Sequence, residues 1–277
     1  MAADGAERKP SPLTATIRIE AFGAHLEVSA PGEDELAAIA AELPGAVAVE
    51  LATGRPEPDH RLRVAREGSG FVVRGDDARR YDELSAALAE AVSQLHFQIA
   101  LHARDAIFLH AGAVCFEDRL ILIPGRTRAG KSTLTVALVE AGGEYYSDEY
   151  APIDRDGRVL PYRKRPSVRP GSPVSEPAPV ASAEPPPRWC DLVLGCEFSA
   201  GASFSPVRLT DGQGALLLVA NAVVAQTRPA ATAQAVASVM RRAVAYRTAR
   251  PTVGETIDGV RRLISGMGER ALSGGSP

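Results

Sequence analysis

Gly125, Arg126, Thr127, Arg128, Ala129, Gly130, Lys131, Ser132 and Thr133 form a run in which four residues separate two glycines and a lysine and a hydroxyl follow the second. That spacing suits a loop whose backbone N–H groups wrap a phosphate chain at the start of a helix. Lys131 would neutralise β- and γ-phosphate oxygens, and the Ser132 hydroxyl would sit on Mg²⁺. An ordinary glycine-containing turn would account for the glycines but not for the lysine and serine behind them. Residues 145–150 read Tyr-Tyr-Ser-Asp-Glu-Tyr and place Asp148 and Glu149 at the end of a short strand. Strands of an open sheet deliver their C-terminal ends to a ligand crevice. One acid could hold Mg²⁺ while the other orients or deprotonates an attacking hydroxyl. A solvated acidic turn is the plainer alternative for such a pair on its own. His110 lies in an apolar stretch one hairpin before the loop. A lone histidine there is ordinarily a packed core residue. Residues 161–169, Pro-Tyr-Arg-Lys-Arg-Pro-Ser-Val-Arg, are the densest basic stretch. Arg163, Arg165 or Arg169 could reach a γ-phosphate or hold an acidic peptide, or the run could be a solvated linker.

These side chains need elements to position them. The run 107–116 and the run 120–123 read as two strands joined by the polar turn Glu117-Asp118-Arg119. A helix is predicted from about Lys131, with Leu134, Leu138 and Val139 on its apolar side. A strand is predicted at 145–147, a hairpin turn at 154–157 and a strand at 158–162. Eight prolines between 166 and 187 predict an exposed, flexible or polyproline-type loop. Beyond it the pattern predicts a buried strand at 191–198, an edge strand at 207–209, and helices at 211–224, 230–246 and 253–264.

Upstream, alternation predicts a strand at 16–22 with a hairpin partner at 25–29, a helix at 34–43, and short strands at 46–51, 62–66 and 71–74. Leu84, Leu88, Val92, Leu95 and Ile99 recur at helical spacing up to about His102. The expected organisation is a disordered stretch 1–13, a small α+β module 14–104, an α/β phosphate-loop domain 105–265 that carries the Pro-rich loop 166–187, and a flexible tail 266–277.

Composition narrows the classes. At roughly 100–200 residues per domain, 277 residues make one large domain or two small ones. Lys plus Arg number 31 against 34 Asp plus Glu, a net charge of −3, which argues against a nucleic-acid partner. No apolar run approaches the roughly 18 residues of a membrane span. The N-terminal residues show no secretory signal. Three cysteines without a CxxC pair or metal spacing fit a reducing cytoplasm. Asn221 is the only asparagine, so the chain cannot read guanine through an NKxD motif.

Leu-His-Ala-Gly-Ala-Val (109–114), Leu-Ile-Leu-Ile-Pro-Gly-Arg-Thr-Arg-Ala-Gly-Lys-Ser-Thr (120–133) and Tyr-Tyr-Ser-Asp-Glu-Tyr-Ala-Pro-Ile (145–153) together resemble the catalytic domain of HPr kinase/phosphorylase. They resemble most the HPr-kinase-like proteins of peptide-modification clusters, among them kinases of lasso peptides. The resemblance covers 106–162 well and the remainder weakly. It implies a P-loop domain with a mixed sheet, related to phosphoenolpyruvate carboxykinase. It implies phosphate transfer from ATP, with Mg²⁺, to a serine or other hydroxyl of a peptide, protein or small molecule. Under it His110, Lys131 and Asp148 are catalytic, residues 125–133 bind nucleotide, and Ser132 and Glu149 hold the metal. The family's loop has Gly where Arg128 stands and Glu where Thr133 stands, and its later Glu-x-Arg-Gly segment is absent. Those departures point away from HPr as acceptor and from the reverse, phosphorolytic reaction. A nucleotide-binding accessory or regulatory protein with little or no phosphotransfer is the alternative. A homo-oligomer is compatible with either.

Overall fold

A computed structural model describes residues 15–45, 47–51, 57–125, 129–166, 174 and 184–273. The chain divides into two compact units, one of Met1–Leu43 and Val47–His102, the other of Pro44–Ala46 and Ala103–Pro277. It is a mixed α/β protein, and each unit carries a mixed sheet.

The first unit runs β1 (Ala15–Ala21), β2 (Ala24–Ala30), α1 (Glu33–Ala41), β3 (Ala48–Leu51), β4 (His60–Glu67), β5 (Gly70–Arg74), β6 (Ala78–Tyr81) and α2 (Leu84–His102). Its six strands lie in the order β3-β1-β2-β4-β5-β6. The alternation of Ile17, Ile19, Leu26, Val28, Leu62 and Val64 puts these side chains in the core. Both α1 and α2 pack against β2 and against each other. Ala87, Ala91, Leu95 and Ile99 form the buried stripe of α2. Strand β6 lies in a stretch for which the sequence predicts no element; its pattern, Ala-Arg-Arg-Tyr, is largely exposed and carries no apolar periodicity.

The second unit runs β7 (Ile107–Leu109), β8 (Ala111–Phe116), β9 (Arg119–Pro124), α3 (Lys131–Glu140), β10 (Glu144–Ser147), β11 (Ala151–Ile153), β12 (Arg158–Val159), β13 (Arg188–Trp189), β14 (Leu192–Phe198), β15 (Val207–Arg208), α4 (Asp211–Val219), α5 (Pro229–Met240), β16 (Val244–Arg250) and α6 (Val253–Ser273). The larger sheet has the order β10-β8-β9-β14-β16-β15 and the smaller one β13-β12-β11-β7. Strand β14 runs parallel to both β9 and β16, while β8 is antiparallel to β9 and to β10. Four strands, β10, β9, β14 and β16, therefore point the same way. Ile121, Ile123, Leu192 and Leu194 face Leu134 and Leu138 of α3 and Val260 and Ile264 of α6. Residues that alternate with these face the other side, where Gly195 lies under Leu217 of α4. A strand covered on both faces must read as a continuous apolar run, as β9 does. Among the described residues no helix is long and apolar enough to cross a membrane.

Four expectations are corrected. The run 107–116 is not one strand: it breaks at His110, and β7 and β8 belong to different sheets. The helix predicted over 230–246 ends at Met240, and its last residues open β16, an interior strand of the sheet. The helix predicted over 211–224 stops at Val219, after starting at a Thr210–Gln213 capping box. The helix predicted over 253–264 runs on to Ser273 as α6, into the stretch expected as tail. Most of the Pro-rich loop expected at 166–187, and the stretch 1–13, lie outside the described residues. Within that loop Val174 is buried against Val136 and Ala137 of α3.

Candidate functional site

Because β10, β9, β14 and β16 are parallel, their C-terminal ends meet at one edge of the sheet. That edge carries Ser147 leading to Asp148, Pro124 leading to Gly125, Phe198, and Arg250. Strand β8 runs the other way, so its first residue, Ala111, stands opposite Pro124 and brings His110 to the same edge. The topology thus assembles residues that are distant in the sequence.

At the centre, the chain leaves β9 at Gly125 and enters α3 at Lys131, with Gly130 as N-cap in a left-handed conformation, φ 83°. A side chain at Gly130 would be strained there and would also meet Arg250, whose Nη2 lies 2.4 Å from where a Cβ would stand. At Gly112 a Cβ would lie 2.2 Å from Thr135 Oγ1, so glycine lets α3 settle on β8. The N-terminal N–H groups of α3 have no intrahelical acceptors and form a partial positive end. The stem of Lys131 runs back beside Gly125, and the residue is buried, which lowers its pKa; the charges of Asp148 and Glu149 oppose that shift. Ala129 and Thr133 flank this turn and are half-buried. Arg126, Thr127 and Arg128 lie outside the described residues.

Asp148 is only 1% exposed, and neither carboxylate oxygen has a hydrogen-bond partner among the described residues. Burial raises its pKa, against the approach of the Ser132 hydroxyl and the positive charges of Lys164 and Lys131. The acid that faces Ser132 is thus Asp148. Glu149 has a positive φ of 75° and points its carboxylate at Lys164, with which it forms an ion pair. The Tyr145 hydroxyl donates to the carbonyl of Lys164 at 2.5 Å and holds that residue at the site. His110 is fixed through its backbone, donating to Asn221 O at 2.6 Å and accepting from the Gly125 N–H at 3.4 Å. Its ring meets Tyr150 edge-on, 6.0 Å between centroids. Burial and the charge of Lys131 lower its pKa, and Glu149 opposes them.

The structure therefore brings together His110, Gly125, Gly130, Lys131, Ser132, Asp148 and Glu149. Of the basic candidates, Arg163 is half-buried near Tyr145, Arg165 is exposed, and Arg169 lies outside the described residues. Lys164 of that run pairs with Glu149, and sequence reasoning, which singled out the arginines, passed it over. Arg250 is not among the sequence candidates: the pattern predicts helix over the start of the strand that delivers it and no element over the rest. Beside Gly125 the edge opens into a cavity of about 680 Å³, bordered by Cys196, Phe198, Asn221 and Arg247. No protein-family model matches the chain, and no curated protein matches it either.

Proposed function

We propose that the chain is an ATP-dependent phosphotransferase of the HPr-kinase-like type, acting on a hydroxyl of a peptide, protein or small molecule. The observation that carries this reading is Asp148: a buried carboxylate, neither oxygen within hydrogen-bond distance of a partner among the described residues, that faces the Ser132 hydroxyl and the charges of Lys131 and Lys164 at a glycine-rich turn. Keeping a carboxylate out of water costs free energy, and groups held at that cost concentrate at functional sites.

The donor set fits a magnesium nucleotide. The N-terminal amides of α3 and Lys131 bind the phosphates. Ser132 would ligate Mg²⁺, with the Asp148 carboxylate beside it; the metal, when bound, neutralises charge on the phosphate oxygens. Asp148 orients the acceptor hydroxyl and takes its proton, a role that a raised carboxyl pKa favours. The nucleophile's oxygen forms a bond to the terminal phosphorus as the bond to the bridging oxygen breaks, and the electron pair leaves with ADP. His110 stays neutral near pH 7 and can donate one hydrogen bond to the acceptor or a phosphate oxygen. Glu149 is not given the metal in this scheme, because Lys164 already occupies its carboxylate. That same ion pair favours the second reading, a nucleotide-binding protein with little turnover.

Calorimetry with MgATP on the parent and Lys131→Ala tests the site, and ADP release with and without a serine-containing acceptor peptide tests transfer. Lys131→Ala should lose most of its ATP affinity while keeping its melting temperature. Equal affinities would remove the phosphate-binding reading. ATP binding without acceptor-dependent ADP release would favour the second reading.

A further inference from the structure

Arg250 is the last residue of β16, two strands from the glycine-rich turn, and is only 5% exposed. Its guanidinium lies against Gly130, the N-cap of α3. This placement opposes ordinary electrostatics: the N-terminal end of a helix is the positive end, and a buried cation beside it is repelled. The stable arrangement has an anion between them. Other arginines of this unit have ready partners. Arg119 meets Asp191 at 3.0 Å, and Arg261 meets Glu117 at 3.0 Å. For Arg250, no carboxylate lies within ion-pair distance among the described residues, and its Nε has no hydrogen-bond partner among them. What it does have is the face of Phe198, 5.1 Å from the guanidinium carbon, which orients the planar group without neutralising it. Burial pulls its pKa down, and the Cys196 thiol is the group that opposes this. A buried guanidinium without a counter-charge is costly unless a ligand completes it. Its fork of N–H donors matches a phosphate, which it can grip with two parallel hydrogen bonds.

We infer that Arg250 is a phosphate-binding residue of this site, gripping the phosphate chain of the nucleotide from the β14–β16 side while Lys131 and Asp148 act from the β8–β10 side. The inference rests on the phosphotransferase reading and extends it to a residue outside the glycine-rich motif. The role needs three things the structure supplies: a stem fixed by β16 in the sheet, a guanidinium oriented by Phe198, and a glycine at 130 that leaves room for it.

The test is calorimetry on the full chain with two probes, MgATP and inorganic pyrophosphate, for the parent, Lys131→Ala, Arg250→Gln and Arg250→Met. The methionine keeps an apolar stem over Phe198 and serves if the glutamine variant does not fold. A charge-assisted hydrogen bond of ordinary strength predicts that either Arg250 variant binds both probes about 10- to 100-fold more weakly. In phosphate-free buffer the variants should melt no lower than the parent, since they shed an uncompensated charge. The rise in melting temperature caused by pyrophosphate should shrink with them. A merely structural arginine would do the reverse, lowering the melting temperature and leaving the affinities of the folded protein unchanged. If Lys131→Ala loses binding while a folded Arg250 variant binds both probes within about twofold of the parent, the role of Arg250 is overturned and the phosphate loop stands. If the parent binds neither probe, or Lys131→Ala binds as the parent does, the phosphate-loop reading falls and this inference falls with it.

Discussion

The two units differ in the charge they bury. In the first, charges sit on the outer face of the sheet and in α2 and find each other across strands. Arg18 and Arg61 both meet Glu27, at 3.8 and 3.3 Å, Arg80 meets Glu67 at 3.0 Å, and Arg79 meets Glu90 at 2.8 Å. Pairs of this kind keep their water and contribute little individually. In the second unit, Lys131, Asp148 and Arg250 are withdrawn from water at one edge of the sheet, and Asp148 and Arg250 keep atoms without hydrogen-bond partners among the described residues. A chain selected for stability alone would replace such groups with apolar ones of similar volume. Among the described residues Lys131, Asp148 and Arg250 are the only buried Asp, Glu, Lys or Arg, and all three lie in the second unit; that contrast is the ground for proposing the chemistry there.

The sharpest way to break that contrast is Asp148→Asn. The shape is retained, while the charge and the proton acceptor are lost. Phosphotransfer should fall about 10²- to 10⁴-fold, the range expected for a positioned base. ATP affinity should change far less, because it rests on Lys131 and the amides of α3. ADP release over a Mg²⁺ titration, with a parallel thermal melt, measures both effects. Full turnover in this variant would leave a nucleotide site without this mechanism.

A smaller effect concerns histidine. His110 in the second unit and His60 in the first are both buried enough to have lowered pKa values, and desolvation is the first cause in each. In such a case the unfolded chain binds more protons than the native one between the folded value and the ordinary 6.5. The stabilising contribution is complete above 6.5 and is lost as the pH falls through the folded value. His110→Gln and His60→Gln should each flatten the fall in melting temperature on acidification from about pH 7 to pH 5. Only His110→Gln should also lower phosphotransfer at neutral pH. Equal turnover in both variants would make His110 a packing residue like His60.

What the sequence disclosed follows the same division between local and distant causes. The glycine-rich turn is a local device. Gly130 needs its positive φ, Lys131 and Ser132 follow it directly, and the apolar run before it has to be a buried strand. The break at His110 has no such local cause. Apart from His110, residues 107–116 carry no polar side chain, and the chain parts there because the His110 N–H bonds to Asn221 and the residues on either side pair with different sheets. Strand β16, Val-Ala-Tyr-Arg-Thr-Ala-Arg, has neither a strong helical nor a strong strand pattern. Its identity comes from β14 alongside it, through a full seven-residue parallel register. Arg250 was invisible for that reason. The pairing of Lys164 with Glu149 likewise needs the turn through β11 and β12 to bring residues fifteen apart into contact.

The smallest expected effect closes the comparison from the other side. Glu27 on β2 stands directly opposite Arg18 on β1 and beside Arg61 on β4, so it pairs with an arginine on each neighbouring strand. Even so, its side chain remains 25% exposed, and water can replace what Arg18 and Arg61 provide. Glu27→Gln should therefore cost about 1 kcal/mol or less by denaturant unfolding. Raising the salt should remove most of the difference between variant and parent, because exposed pairs are screened within about 10 Å at 0.1 M ionic strength. Phosphotransfer should not change. A loss well above that cost, persisting at high salt, would mean that the charges of the first unit are buried in effect, and the distinction between solvated pairs there and withdrawn charges at the proposed phosphate-binding edge would no longer hold.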